Sequence, residues 1–250
     1  MRIPAISAVF VAASVLTGCI VGDELPDEEA GETETGIVGG TVDPGDPAVG
    51  LLRTVKKIDA TGKPLAWGVC TATLIAPRIM VTAAHCNAVG LWTDVQFGTQ
   101  PANGGLGSAA LATVVVSPLW NGDPEAGHDV AIVLLSTAIA TTPIRRAATP
   151  GVGAAVRAVG YGQSQLDGNG IGTGTKRQIT FPVTAVDAHE LAAGSEGHNV
   201  CYGDSGGPVF SGLGITGINS YVDGVGCHGG GHFMRLDDNL PFIRQYVPSF

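Results

Sequence analysis

Cys201-Tyr202-Gly203-Asp204-Ser205-Gly206-Gly207-Pro208 sets one serine in a glycine-rich turn. Small residues there let backbone amides approach a substrate oxygen. Two distant stretches give the turn its meaning. Thr82-Ala83-Ala84-His85-Cys86 places a histidine at the end of an apolar run, and His128-Asp129 opens the run Val130 to Leu135. A hydroxyl, an imidazole and a carboxylate at a buried edge are the three groups that acyl transfer through serine uses.

The bulk composition narrows the fold. The chain has 250 residues, 38 of them Gly and 15 Pro, with 14% charged. Such a chain is short of helix formers and rich in turns, and its short apolar runs read as β-strands. Expected strands are 50–55, 67–75, 79–83, 94–98, 111–117, 130–135, 154–160, 176–186, 207–210, 213–220 and 232–236. Their spacing suits an antiparallel sandwich or barrel. A terminal helix is expected over 238–246, where Leu240, Ile243 and Val247 recur at helical spacing and Pro241 falls in the first turn.

The formal charge is −9. With no dense basic patch, nucleic acid is not an expected partner. The acidity is local. Residues 23–34 carry seven acids and no base, and without them and Arg2 twelve bases face fifteen acids. Residues 19–36 therefore read as an acidic, disordered leader.

Ahead of it, Met1-Arg2 and an apolar run to Leu16 read as an export signal over 1–18. Leu16-Thr17-Gly18-Cys19 resembles a bacterial lipoprotein signal, which would make Cys19 the lipidated first residue. An ordinary secretory signal with an incidental cysteine is the alternative. The expected location is outside the cytoplasm, as a secreted or outer-membrane lipoprotein with its mature domain extracellular or periplasmic. Five cysteines cannot all pair within one chain. With Cys19 set apart, the others fall into two local pairs, Cys70 with Cys86 and Cys201 with Cys227. Each would stabilise the fold by roughly 3 kcal/mol in an oxidising compartment.

These motifs, together with Ile37-Val38-Gly39-Gly40, resemble the chymotrypsin/trypsin serine protease family over nearly all of 37–250. The resemblance implies an all-β fold of two six-stranded antiparallel barrels with a short C-terminal helix. The barrels would meet near 136–150, with the active site between them. It implies a serine endopeptidase with Ser205 as nucleophile, His85 as base and then acid, and Asp129 as the group that orients His85. The N–H groups of Gly203 and Ser205 would bind the oxyanion. In this family cleavage removes a propeptide, here 19–36, and frees an α-amine, here that of Ile37, which pairs with the aspartate beside the nucleophile, here Asp204. Gly36 before the cut departs from the Arg or Lys that a trypsin-like activator takes, so the activating protease is left open.

By the same resemblance Asn199 sits at the base of the pocket for the residue before the scissile bond, with Val200 beside it. Trypsin-like enzymes carry aspartate at the Asn199 position. Tyr202 and the stretch Ser220-Tyr221-Val222 complete the substrate site, the latter as an added strand. Val222 stands where the family often has Gly, which narrows the entrance and favours small or medium uncharged side chains. Recognition of a polar side chain by the Asn199 amide is the alternative. Expected partners are a peptide or protein substrate, an activating protease and protein protease inhibitors, with the mature domain a monomer. His128 reads as a surface or hydrogen-bonding residue and not as a second base. The other histidines, His189, His198, His228 and His232, lack diagnostic ligand spacing, so no cofactor or metal is expected. A protease-shaped binding protein with little turnover is the competing reading.

Overall fold

The structure, a computed structural model, describes residues 37–87, 92–101, 107–166 and 170–250. The export signal, Cys19, the acidic stretch and Gly36 lie outside the described residues. A two-residue strand β1 (Thr41–Val42) comes first. Six strands then follow: β2 (Val49–Ile58), β3 (Pro64–Ala76), β4 (Ile79–Thr82), β5 (Trp92–Phe97), β6 (Gly107–Val116) and β7 (Ala131–Leu135). These six close into a barrel in the order β2-β3-β4-β7-β6-β5. The apolar run after Asp129 becomes β7, paired on one edge with β4 and on the other with β6. Its alternate residues enter two different apolar clusters, Val133 and Leu135 in one and Ile132 in the other, so both faces are covered and polar alternation is lacking. Leu52, Leu74, Met80, Val95 and Val133 fill the barrel interior.

The chain leaves the barrel after Leu135 and begins a second group of strands at Ala155. These are β8 (Ala155–Gly160), β9 (Arg177–Val186), β10 (Glu190–Ala193), β11 (Pro208–Ser211), β12 (Gly214–Val222) and β13 (Gly231–Arg235). The expectation of two six-stranded barrels is corrected here. The second group is a seven-stranded sheet, order β1-β9-β10-β13-β12-β11-β8, in which β8 also meets β9. The physical reason lies in strand lengths. At ten residues, β9 has room for β1 beside Arg177 and Gln178 and for β10 further along. At the opposite end, β11 has four residues and a register shift, and it matches β8 only at Val209 and Phe210. Neither β1 nor β10 is legible in the sequence: two residues carry no periodicity, and Glu-Leu-Ala-Ala has poor strand propensity.

Ile179, Phe181, Leu191, Val209 and Phe233 form the core of the second sheet. A third cluster joins the two groups: Val49, Val81 and Ile132 from the barrel pack with Tyr161, Phe210 and Ile215 from the sheet. Tyr161 is fully buried there, its hydroxyl 2.7 Å from the Gly98 carbonyl and 3.1 Å from that of Val49. Helix α1 (Leu240–Ile243) is shorter than the 238–246 expected, although Arg244 and Val247 still donate to Leu240 and Ile243. Its apolar face joins this interface cluster through Phe242 and Ile243. Among the described residues no helix is long and apolar enough to cross a membrane.

Candidate active site

β4 ends in a 3-10 helix, Ala84–Asn87, that presents His85. The Cys70–Cys86 disulfide ties this helix to β3. Asp129 is fully buried just ahead of β7 and grips His85 twice. Its Oδ2 lies 2.6 Å from His85 Nδ1, and its Oδ1 accepts the His85 backbone N–H at 2.8 Å. Ser220 Oγ donates to the same Oδ2 at 2.5 Å. Burial pushes the Asp129 carboxyl up, but the His85 and Ser220 hydrogen bonds outweigh it and leave it below the ordinary carboxylate value. A carboxylate at Nδ1 fixes the tautomer in which Nε2 is free to accept a proton.

The glycine-rich turn is held against this pair by the barrel. Thr71, next to Cys70 on β3, donates its N–H to the Ser205 carbonyl at 2.8 Å and its hydroxyl to the Gly203 carbonyl at 3.0 Å. Gly203 takes φ 100, and a Cβ there would meet Gly162 Cα at 2.9 Å. Gly206, at φ 78, would drive a Cβ to 2.0 Å from Thr82 Oγ1. Only glycine satisfies both backbone angle and space at these two positions. Among the described residues no acceptor takes the N–H of Gly203 or of Ser205. Two free donors flanking an accessible serine are available to an anionic oxygen.

His85, Gly203 and Ser205 all line one cleft of about 1010 Å³. Its walls come from both strand groups: Trp67 and Val69 on β3, Asn219 to Val222 on β12. A fold that sets an oriented imidazole, a serine hydroxyl and unpaired amides in one groove matches a known family. The trypsin family model aligns with residues 52–243. The chain belongs to the trypsin family. It is 28% identical to a trypsin of Saccharopolyspora erythraea over 175 residues, which cover 62% of this chain and 76% of that protein. It is 27% identical to chymotrypsin-like elastase family member 1 of Macaca fascicularis, covering 72% and 79%. Brachyurin of Leptuca pugilator gives 29% identity, covering 70% and 86%.

In this trypsin-family chain the substrate residues expected from sequence divide into two groups. Tyr202, Ser220, Tyr221 and Val222 line the cleft. Asn199 and Val200 do not. Val200 packs with Ile37 in the core of the second sheet. Asn199 is fully buried, its Nδ2 donating to the Gly229 carbonyl and its Oδ1 without a protein partner. Asn219, which sequence reasoning passes over, lines the cleft instead with its own Oδ1 unpartnered. Nothing in the run Gly217-Ile218-Asn219 singles it out; only the register of β12 turns it inward. Thr71 on β3 and Gln163 in the loop after β8 are likewise unmarked in the sequence.

Tyr221 is braced from behind. His232 stacks on it at 4.2 Å between ring centroids, and Glu190 accepts its hydroxyl at 3.1 Å. The same Glu190 contacts His232 Nδ1 at 2.6 Å, with Asp223 Oδ2 at 3.1 Å from Nε2. The hydrogen bond to Glu190, reinforced by Asp223, pushes His232 up to about 9, so this imidazole is a cation at neutral pH.

Ile37 and Asp204 are both buried. Asp204 accepts the Gly162 N–H at 2.7 Å and the Cys201 N–H at 2.8 Å. Burial outweighs these bonds and pushes its carboxyl up to about 7. Ile37 takes φ 47, a left-handed backbone that a β-branched residue rarely adopts. The Cys201–Cys227 disulfide closes the neighbouring loop.

Proposed function

We propose that the chain is a serine endopeptidase hydrolysing peptide bonds through an acyl-enzyme on Ser205. The observation that carries this reading is the His85–Asp129 contact at 2.6 Å, with the carboxylate buried, in the same cleft as Ser205. His85 Nε2 takes the Ser205 Oγ proton as Oγ bonds to the peptide carbonyl carbon. The carbonyl oxygen becomes anionic and draws on the free N–H groups of Gly203 and Ser205. His85 then gives its proton to the leaving amine, and the C–N bond breaks. A water molecule repeats the sequence on the ester: His85 removes its proton, the C–O bond breaks, and Ser205 regains a hydrogen.

We infer a preference for small or medium uncharged side chains before the scissile bond. Asn219 and Val222 line the wall that such a side chain would meet, and neither carries charge. The unpartnered Asn219 Oδ1 adds an acceptor for a polar side chain. The precursor is inferred to be exported, with Cys19 lipidated, and to be cut before Ile37. Two observations support the cut. It removes the atom that defines φ at Ile37, releasing a strain of order 1–3 kcal/mol. It also frees an ammonium able to neutralise Asp204, and a paired carboxylate costs far less to bury.

A serine-directed phosphonate probe, applied to protein whose N-terminus has been sequenced, tests the reading. Labelling of Ser205 is expected. No labelling of protein beginning at Ile37 would favour the protease-shaped binding protein instead. Peptide-library profiling on the same sample checks the pocket, and strong selection for Arg or Lys would refute the uncharged preference.

A further inference from the structure

We propose that His128, His189 and Asp238 form a binding site for Zn²⁺ that clamps the segment carrying Asp129 to the second sheet. One ligand atom from each residue lies within 4.8 Å of the others. His189 Nδ1 is 2.9 Å and His128 Nδ1 3.6 Å from the same Asp238 Oδ2. Those separations bracket the roughly 3.3 Å between ligand atoms of a tetrahedral zinc with bonds of about 2.0–2.1 Å. The imidazole rings are 5.1 Å apart and tilted by 60°, so they converge on the carboxylate instead of stacking. Two imidazoles and one carboxylate suit zinc, whereas calcium and magnesium take all-oxygen sets. Asn239 Oδ1, 3.1 Å from His128 Nδ1, or a water is available for the fourth position.

The surrounding contacts hold this geometry in place. Asp187 Oδ1 accepts the His189 N–H at 2.8 Å and the Glu190 N–H at 2.9 Å, fixing the turn that carries His189. Arg235 pairs with Asp237 through two hydrogen bonds and also donates to the Asp187 carbonyl. One guanidinium thus ties the His189 turn to the residue before Asp238. Gly127 lets the His128 segment approach, since a Cβ there would stand 3.0 Å from His189 Cβ. Supporting contacts of this kind orient metal ligands before the ion arrives.

The ligands adjoin both groups of strands. His128 precedes β7 of the barrel, whereas His189 lies in the β9–β10 turn and Asp238 between β13 and α1. Zinc therefore joins the two groups of strands at the residue adjoining Asp129. The full chain with Ser205→Ala, stripped by chelator, is titrated with zinc chloride by calorimetry and by thermal unfolding. One saturable equivalent and a raised midpoint are expected, with magnesium chloride producing neither. His189→Gln and Asp238→Asn, both at accessible positions, are each expected to weaken binding at least tenfold while their metal-free midpoints stay near the parent. His85→Gln is expected to bind zinc as the parent does. The proposal is overturned by absence of saturable binding, by persistence in both site variants, or by loss in His85→Gln, which would place the ion at the active-site imidazole.

Discussion

Between pH 5 and pH 8, uncleaved Ser205→Ala protein is expected to lose about 3 kcal/mol of folding free energy through Asp204 alone. Asp204 is 1% exposed, and burial is the largest influence on its carboxyl. The Cys201 and Gly162 N–H groups and the Arg177 charge offset part of it, yet the value stands at about 7 against an ordinary 3.8. A shift of that size corresponds to about 4 kcal/mol in total at 1.36 kcal/mol per pH unit. The fold holds the proton more tightly than the unfolded chain does. Its contribution is thus fully present below the unfolded value and is lost as pH rises through about 7. Urea denaturation at a series of pH values, compared with Asp204→Asn, isolates this contribution from the histidines. The asparagine variant has no charge to bury there, so its stability should fall less steeply over the same interval. Protein cut before Ile37 should also show the shallower slope, because an ammonium then neutralises the carboxylate. Equal slopes for the uncleaved parent and its Asp204→Asn variant would mean that Asp204 holds no proton above its ordinary value in the fold.

Three further outcomes are expected. Asp129→Asn should lower kcat by about 10⁴ with the fold intact, because an amide fails to hold the His85 tautomer; its removal also takes away a depressed carboxyl whose contribution is present above the unfolded value and fades as pH falls below it, so the variant should lose less stability on acidification. Gly206→Ala should abolish phosphonate labelling and lower the thermal midpoint, because a Cβ at φ 78 collides with Thr82 Oγ1, the Thr71 carbonyl and the Ala83 N–H. Lys176→Met should cost about 3 kcal/mol in urea denaturation. The lysine is 1% exposed and donates to the Gly45 and Asp46 carbonyls, and buried Asp43 stands 3.8 Å from its Nζ. An unchanged urea midpoint would show that Lys176 holds nothing there.

Much of the site is legible in the sequence because its chemistry is local. The turn around Ser205 needs glycine at positions 203 and 206, and the disulfide next to His85 needs a cysteine at 86; each requirement leaves a residue that can be read without the fold. The strand that follows Asp129 is equally plain, since a strand covered on both faces has to be apolar throughout. Contacts across the fold leave no such mark. Thr71 braces Ser205 from 134 positions away in the chain, and nothing about one threonine in a strand announces it. Sequence points to Asn199 as the pocket amide, and the place of Asn219 in the cleft lining follows from its position on β12, which the sequence does not mark.

Read from the sequence alone were the glycine-rich turn around Ser205, the Cys70–Cys86 and Cys201–Cys227 pairs, most strands and three groups suited to serine chemistry. Visible only in the folded chain are the seven strands of the second sheet, the polar atoms that reach the cleft, and the convergence of His128, His189 and Asp238. The division has a physical origin. Backbone angles and strand burial are set by neighbouring residues and appear as composition and periodicity. Side chains brought together by closure of separate sheets meet only through register and packing, which a linear string of residues does not record.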